Sequence, residues 1–152
     1  YNANMPIFGV CFGHQLIAQA LGGRVEKSIK GWGLGLHTYE INNKADYMGN
    51  LSEEVTLNIC HQDQVLEAPE GATIYARSQF CENAGFYIKD KVLTMQAHPE
   101  FLVDFIKALL NARRDITIPK EFVDPALVKL NSYPDTVQSN QFAETIRKFF
   151  SS

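Results

Sequence analysis

A cysteine set between two glycines, Gly9-Val10-Cys11-Phe12-Gly13, has the spacing of a nucleophile elbow. In such an elbow the nucleophile sits on a cramped turn between a strand and a helix. The residues two before and two after it therefore carry almost no side chain. The turn lifts the sulfur above the sheet edge, and the N-terminus of the following helix favours its thiolate form. The backbone N–H of Phe12 points to where a tetrahedral oxyanion would form. A thiol nucleophile needs a base, and the base needs an orienting group. Of the four histidines, His14, His37, His61 and His98, the last has the best context. It follows the run "VLTMQA", and Pro99 behind it disfavours helical geometry at His98. In an extended segment positions i and i+2 point the same way, so the Glu100 carboxylate can reach the imidazole and fix its tautomer. Each motif also has a plain reading: a chance glycine turn for the first, a His-Pro-Glu helix entry for the second. Together they describe a cysteine nucleophile with its base and orienter.

A strand must precede Cys11 and a helix must follow it. Residues 5–10, "MPIFGV", read as a buried strand. From Gly13 to Leu21, Leu16, Ile17, Ala20 and Leu21 make one helical face, which Gly22-Gly23 ends. "RVEKSI" alternates like a strand. "HTYEIN" (37–42), "VTLNIC" (55–60), "TIYARS" (73–78), "GFYIK" (85–89) and "KVLTMQA" (91–97) are further strand candidates, the last two joined by a tight turn at "KDK". A helix is expected after Pro99, with Pro99 at its first position and Phe101, Leu102, Phe105, Ile106, Leu109 and Leu110 on one face. Arg113-Arg114 suits its C-terminal end. A connecting stretch carries Pro119 and Pro125. Asp135 then caps a last helix, with Gln138 completing a capping box and Phe142, Ile146, Phe149 and Phe150 forming the apolar face.

The chain has 152 residues, 45% of them hydrophobic, enough for one domain with a real core. The net charge of -3 and the lack of a basic run exclude nucleic acid as an expected partner. Three cysteines, Cys11, Cys60 and Cys81, in no repeated spacing argue against a disulfide framework and for a reducing, cytoplasmic compartment, with Cys60 and Cys81 as structural thiols. No segment is apolar for the length of a membrane span, so no membrane partner is expected. The histidines lack metal-ligand spacing, and "GWGLG" (31–35) lacks the Gly-Lys-Ser/Thr ending of a phosphate loop and reads as a tight loop. Neither metal nor cofactor is expected. One clear βα unit followed by a strand-rich section suggests an α/β fold, a mostly parallel open sheet with flanking helices and antiparallel additions.

"GVCFGHQLIAQALGG" followed by "QAHPEF" resembles the class I glutamine amidotransferases, which carry a Cys-His-Glu triad in this chain order. "CHQDQV" (60–65) resembles their segment near the glutamine pocket. "KGWGLGLHTYEI" and the tail from "IPKEF" to "IRKFF" look like stand-alone proteins related to the amidotransferase domain of GMP synthase. The resemblance implies flavodoxin-like layering and a γ-glutamyl thioester formed by Cys11. His98 would act as base and acid, Glu100 as its orienter and the Phe12 amide as an oxyanion donor, while Gln15 would contact the substrate glutamine. It implies His14 as support for the elbow and a pocket lined by the backbone of residues 61–63. The expected partners are glutamine, a separate ammonia-accepting synthetase and a possible oligomer. A γ-glutamyl peptidase using the same triad, or a non-catalytic module keeping the fold, stays open. Family members also carry strands, helices and a second oxyanion donor before the elbow. The 152 residues are thus expected to be the C-terminal two-thirds of one domain, with poor independent stability or a covering chain.

Overall fold

The computed structural model describes residues 5–133 and 137–151. Strand β1 (Ile7–Val10) runs into helix α1 (Phe12–Ala20), followed by β2 (Arg24–Lys27), β3 (Gly33–Ile41), β4 (Glu54–His61), β5 (Asp63–Glu67), β6 (Thr73–Arg77), β7 (Gly85–Ile88) and β8 (Val92–Met95). Helices α2 (Val103–Arg113), α3 (Lys120–Ser132) and α4 (Ser139–Phe149) complete the order. Six strands form one sheet in the order β1-β8-β7-β6-β3-β4, and β2 pairs with β5 in a separate two-stranded sheet beside α1.

The α/β class holds, but the parallel majority does not. Among the described residues of the main sheet β1 and β8 pair in parallel, while the four other pairings are antiparallel. The reason is local. Short turns such as that at Lys89–Lys91, where the Lys91 N–H bonds the Ile88 carbonyl, can join only antiparallel neighbours.

Period-two alternation divides the core. On β3, Leu34 and Leu36 face α2 and α3, packing on Ile106, Leu110, Val123 and Leu130. Tyr39 and Ile41 face the other side, where Phe142 and Phe149 of α4 close the layer over Leu57, Tyr75 and Leu93. On β8, Leu93 and Met95 enter the α4 layer, leaving Val92 and Thr94, with Gln96 just past the strand, for the face under α1.

Several sequence expectations change. The stretch read as a connection contains α3, because Val123, Ala126 and Leu130 bury against β3 and offset the backbone bond lost at Pro125. Strand β5 lies in the segment singled out only for its motif. Helix α2 starts at Val103 rather than Pro99, since the His98 N–H bonds the Asn58 carbonyl and holds His98 extended. On α1 the inward positions are His14, Gln15 and Ala18, with Leu16 exposed at 56%. The helix is turned so that two polar side chains meet Thr94 and Gln96 below it. In α2, Ile106 and Leu110 are buried while Phe105, like Leu102 just before the helix, stays exposed. Arg113 ends that helix as expected. Gln138 stands just before α4 and bonds Thr56, and Asp135 lies outside the described residues. Within "GWGLG", residues 33–35 belong to β3, leaving the turn at Gly31. No described helix is long and apolar enough to cross a membrane.

Candidate active site

The strand-to-helix joint carries the strain that an elbow requires. Cys11 has φ 48°, in the left-handed region a non-glycine residue seldom visits. Its N–H bonds the Met95 carbonyl at 2.8 Å and its carbonyl accepts from Gln15 at 3.1 Å, so strand pairing below and the helix above fix the turn. Gly9 is required here, because a Cβ would sit 2.6 Å from Ile17 Cδ1 and 2.9 Å from the Gly13 backbone. Gly13 is different: a Cβ there meets nothing within 4 Å, so the second glycine is not demanded by packing among the described residues. Phe12 opens α1 with an exposed ring, and its N–H is one of the helix's first-turn amides without an intrahelical acceptor.

His98 is brought to Cys11 by the parallel pairing of β1 with β8. Its Nδ1 donates to Glu100 Oε1 at 2.7 Å, the i, i+2 contact read from the sequence. The Phe101 ring stacks on the imidazole at 3.8 Å and 5°, and Asn58 Nδ2 donates to the Phe101 carbonyl. With Nδ1 committed to Glu100, Nε2 is the ring nitrogen left for Cys11, which lies near enough to raise the His98 pKa. Burial alone would lower the His98 pKa. The hydrogen bonds to Cys11 and Glu100 outweigh it and raise the value to about 9. Burial works to raise that of Glu100, but its bond to His98 brings the net value below the ordinary one. The site therefore favours an imidazolium beside a carboxylate.

Beside Cys11 lies a cleft of about 360 Å³ lined by Gln15, Lys27, Trp32, Cys60, His61, Gln62 and Asp63. Gln15 sits in its wall rather than on the open rim, with its Nε2 donating to the Asp63 carbonyl at 2.7 Å and to Gln96 Oε1 at 3.1 Å. His61 Nδ1 donates to the same carbonyl at 3.0 Å. Burial lowers the His61 pKa to about 4 and raises that of the Cys60 thiol to about 11, so both are uncharged. His14 lies beneath the elbow. Thr94 Oγ1 gives its proton to the Phe86 carbonyl, so His14 Nδ1 is the donor in their 2.8 Å bond, and burial holds that imidazole at about 3.

Three groups escaped the reading of the sequence. Gln96 meets Cys11 Sγ at 3.5 Å. It lies in a bend just past β8, and no local pattern signals the contact. Lys27 and Trp32 reach the cleft through β2 and the turn before β3, and no local pattern marks either. Among the described residues no group of three or more His, Cys, Asp or Glu is placed to hold a metal ion.

Known proteins share this architecture and sequence. A glutamine amidotransferase from Thermotoga maritima superposes with a TM-score of 0.82 at 21% identity, over 99% of this chain and 65% of that one. Gamma-glutamyl peptidase 3 of Arabidopsis thaliana is 37% identical over 130 residues, 79% of this chain and 51% of its own length. GMP synthase [glutamine-hydrolyzing] of Bacillus cereus is 36% identical over 101 residues, 66% of this chain and 20% of its own. The chain spans about half the length of the gamma-glutamyl peptidases 3 and 4, at 51% and 43%. The family model "Glutamine amidotransferase class-I" matches residues 1–107. On that match and these identities, the chain belongs to the class I glutamine amidotransferases.

Proposed function

We propose that this chain cleaves the side-chain amide of glutamine through a γ-glutamyl thioester on Cys11. The observation that carries the reading is a strained cysteine at φ 48° beside a histidine whose pKa it raises and that itself bonds a glutamate at 2.7 Å. In the reaction the Cys11 sulfur adds to the amide carbon, and the Phe12 N–H meets the charge that develops on oxygen. The carbon–nitrogen bond then breaks as His98 gives its proton to the departing ammonia. Water, deprotonated by His98, attacks the thioester. Glutamate leaves, and the sulfur departs as thiolate beside the reprotonated imidazole. Glu100 holds the imidazole in the tautomer both steps need.

A second reading keeps every residue in place and changes the substrate to a γ-glutamyl peptide, with an amine in place of ammonia as the leaving group. The 37% identity to gamma-glutamyl peptidase 3 favours including it. In the amidotransferase reading the ammonia passes to a synthetase on a separate chain, and the 36% identity to GMP synthase supports that partner class. The chain is proposed as part of one such domain, since it spans 65% of the Thermotoga maritima structure with one continuous fold. The test is ammonia release from glutamine and amine release from a γ-glutamyl dipeptide, each with Cys11→Ala beside it. Release that vanishes in the variant supports the thioester, and the preferred substrate separates the two readings. Equal release with and without Cys11 refutes both.

A further inference from the structure

Cys11 has a polar neighbour besides His98. Gln96 Nε2 lies 3.5 Å from its Sγ, and Gln96 is wholly buried, so the amide cannot trade this contact for water. Which end of the amide faces the sulfur follows from its partners. A backbone carbonyl only accepts, so Gln15 turns its Nε2 to the Asp63 carbonyl at 2.7 Å. The same Nε2 reaches the Gln96 side chain at 3.1 Å, and the group it meets there must be the acceptor Oε1. That leaves the Gln96 N–H for Cys11. Direction thus passes from a fixed carbonyl through two amides to the sulfur, with each amide allowed one orientation. A thiol is a weak acceptor, whereas a thiolate is charged and accepts strongly, so a donor aimed at the sulfur selects the ionised form.

We propose that Gln96 donates a hydrogen bond to the Cys11 sulfur that favours thiolate over thiol, aimed by Gln15 and the Asp63 carbonyl. The proposal rests on the reading of Cys11 as the nucleophile. It gives the two neighbours different tasks. His98 supplies a counter-charge that it gives up when its proton moves, whereas Gln96 is a neutral donor that remains in place throughout.

The test is alkylation of Cys11 by iodoacetamide as a function of pH. Mass spectrometry of the Cys11 peptide scores it apart from Cys60 and Cys81. Gln96→Leu removes the donor. Gln96→Glu keeps the shape and the contact with Gln15 but sets a carboxylate against the sulfur. The expected result is about tenfold slower alkylation near neutral pH in Gln96→Leu, with the pH profile displaced upward by about one unit, and a larger displacement in Gln96→Glu. Circular dichroism and urea midpoints establish that each variant is folded. Where neither folds, Gln15→Met leaves Gln96 in place but unaimed, and a smaller upward displacement is expected. An unchanged profile in any folded variant overturns the proposal. A native Cys11 no more reactive than Cys60 overturns the nucleophile reading instead, so the two failures are distinguishable.

Discussion

Acidification from about pH 7.5 to about pH 5 is expected to cost this protein roughly 3 kcal/mol of stability, and up to about 5. The cause is a set of histidines buried in their neutral form. His14 is fully buried and His61 is 4% exposed, and burial lowers their values from 6.5 to about 3 and about 4. Both folded values lie below the unfolded one, so the unfolded chain takes up protons that the folded chain refuses. Stability is lost as the pH falls through 6.5 toward 4. At about pH 5 each contributes a loss of about 2 kcal/mol. His37, less buried and lowered to about 4 by burial and then by Lys129, adds up to about 2 more. His98 runs the other way. Its folded value of about 9 lies above the unfolded one, so its contribution is full below 6.5 and lost as the pH rises through 9. Across the same interval it returns about 1 kcal/mol. The assay is the urea midpoint at constant slope at the two pH values, for the native chain and for His14→Gln. The variant should lose about 2 kcal/mol of the pH dependence, whatever the substitution costs at neutral pH. Equal stability at both pH values, or an undiminished pH dependence in His14→Gln, refutes the buried-neutral reasoning.

Cleavage activity, measured as kcat/KM against pH, should fall as the pH passes through about 9, where His98 loses the proton it must give to ammonia. Glu100→Gln should move that alkaline limb toward neutral pH, because the imidazolium loses its carboxylate partner. Gly9→Ala should destabilise by about 1–3 kcal/mol in urea and suppress activity, since its Cβ meets the Gly13 backbone at 2.9 Å. Gly13→Ala, with open space, should leave the urea midpoint unchanged or raise stability by up to about 1 kcal/mol. Phe142→Ala should cost about 3–5 kcal/mol, because that ring is wholly buried against Phe8 and Tyr75.

The sequence by itself determined what short range can carry. Strand candidates show as alternation, and the joint at Cys11 shows because a cramped turn excludes a side chain at Gly9. The His98–Glu100 contact was legible from its short spacing, although a turn closed by the Phe101 N–H on the His98 carbonyl, not an extended segment, makes it. Pro125 hid α3, since local propensity argues against a helix that only burial on β3 justifies. Tertiary structure alone decided which way α1 turns, because Thr94 and Gln96 that receive His14 and Gln15 lie some eighty residues along the chain. It also decided strand direction and the cleft, which Lys27, Trp32 and Asp63 reach from two strands and the turn before β3. Nor could any local pattern give Gln96 its contact with Cys11. A hydrogen bond needs donor and acceptor in one place, and only the pairing of β1 with β8 puts them there.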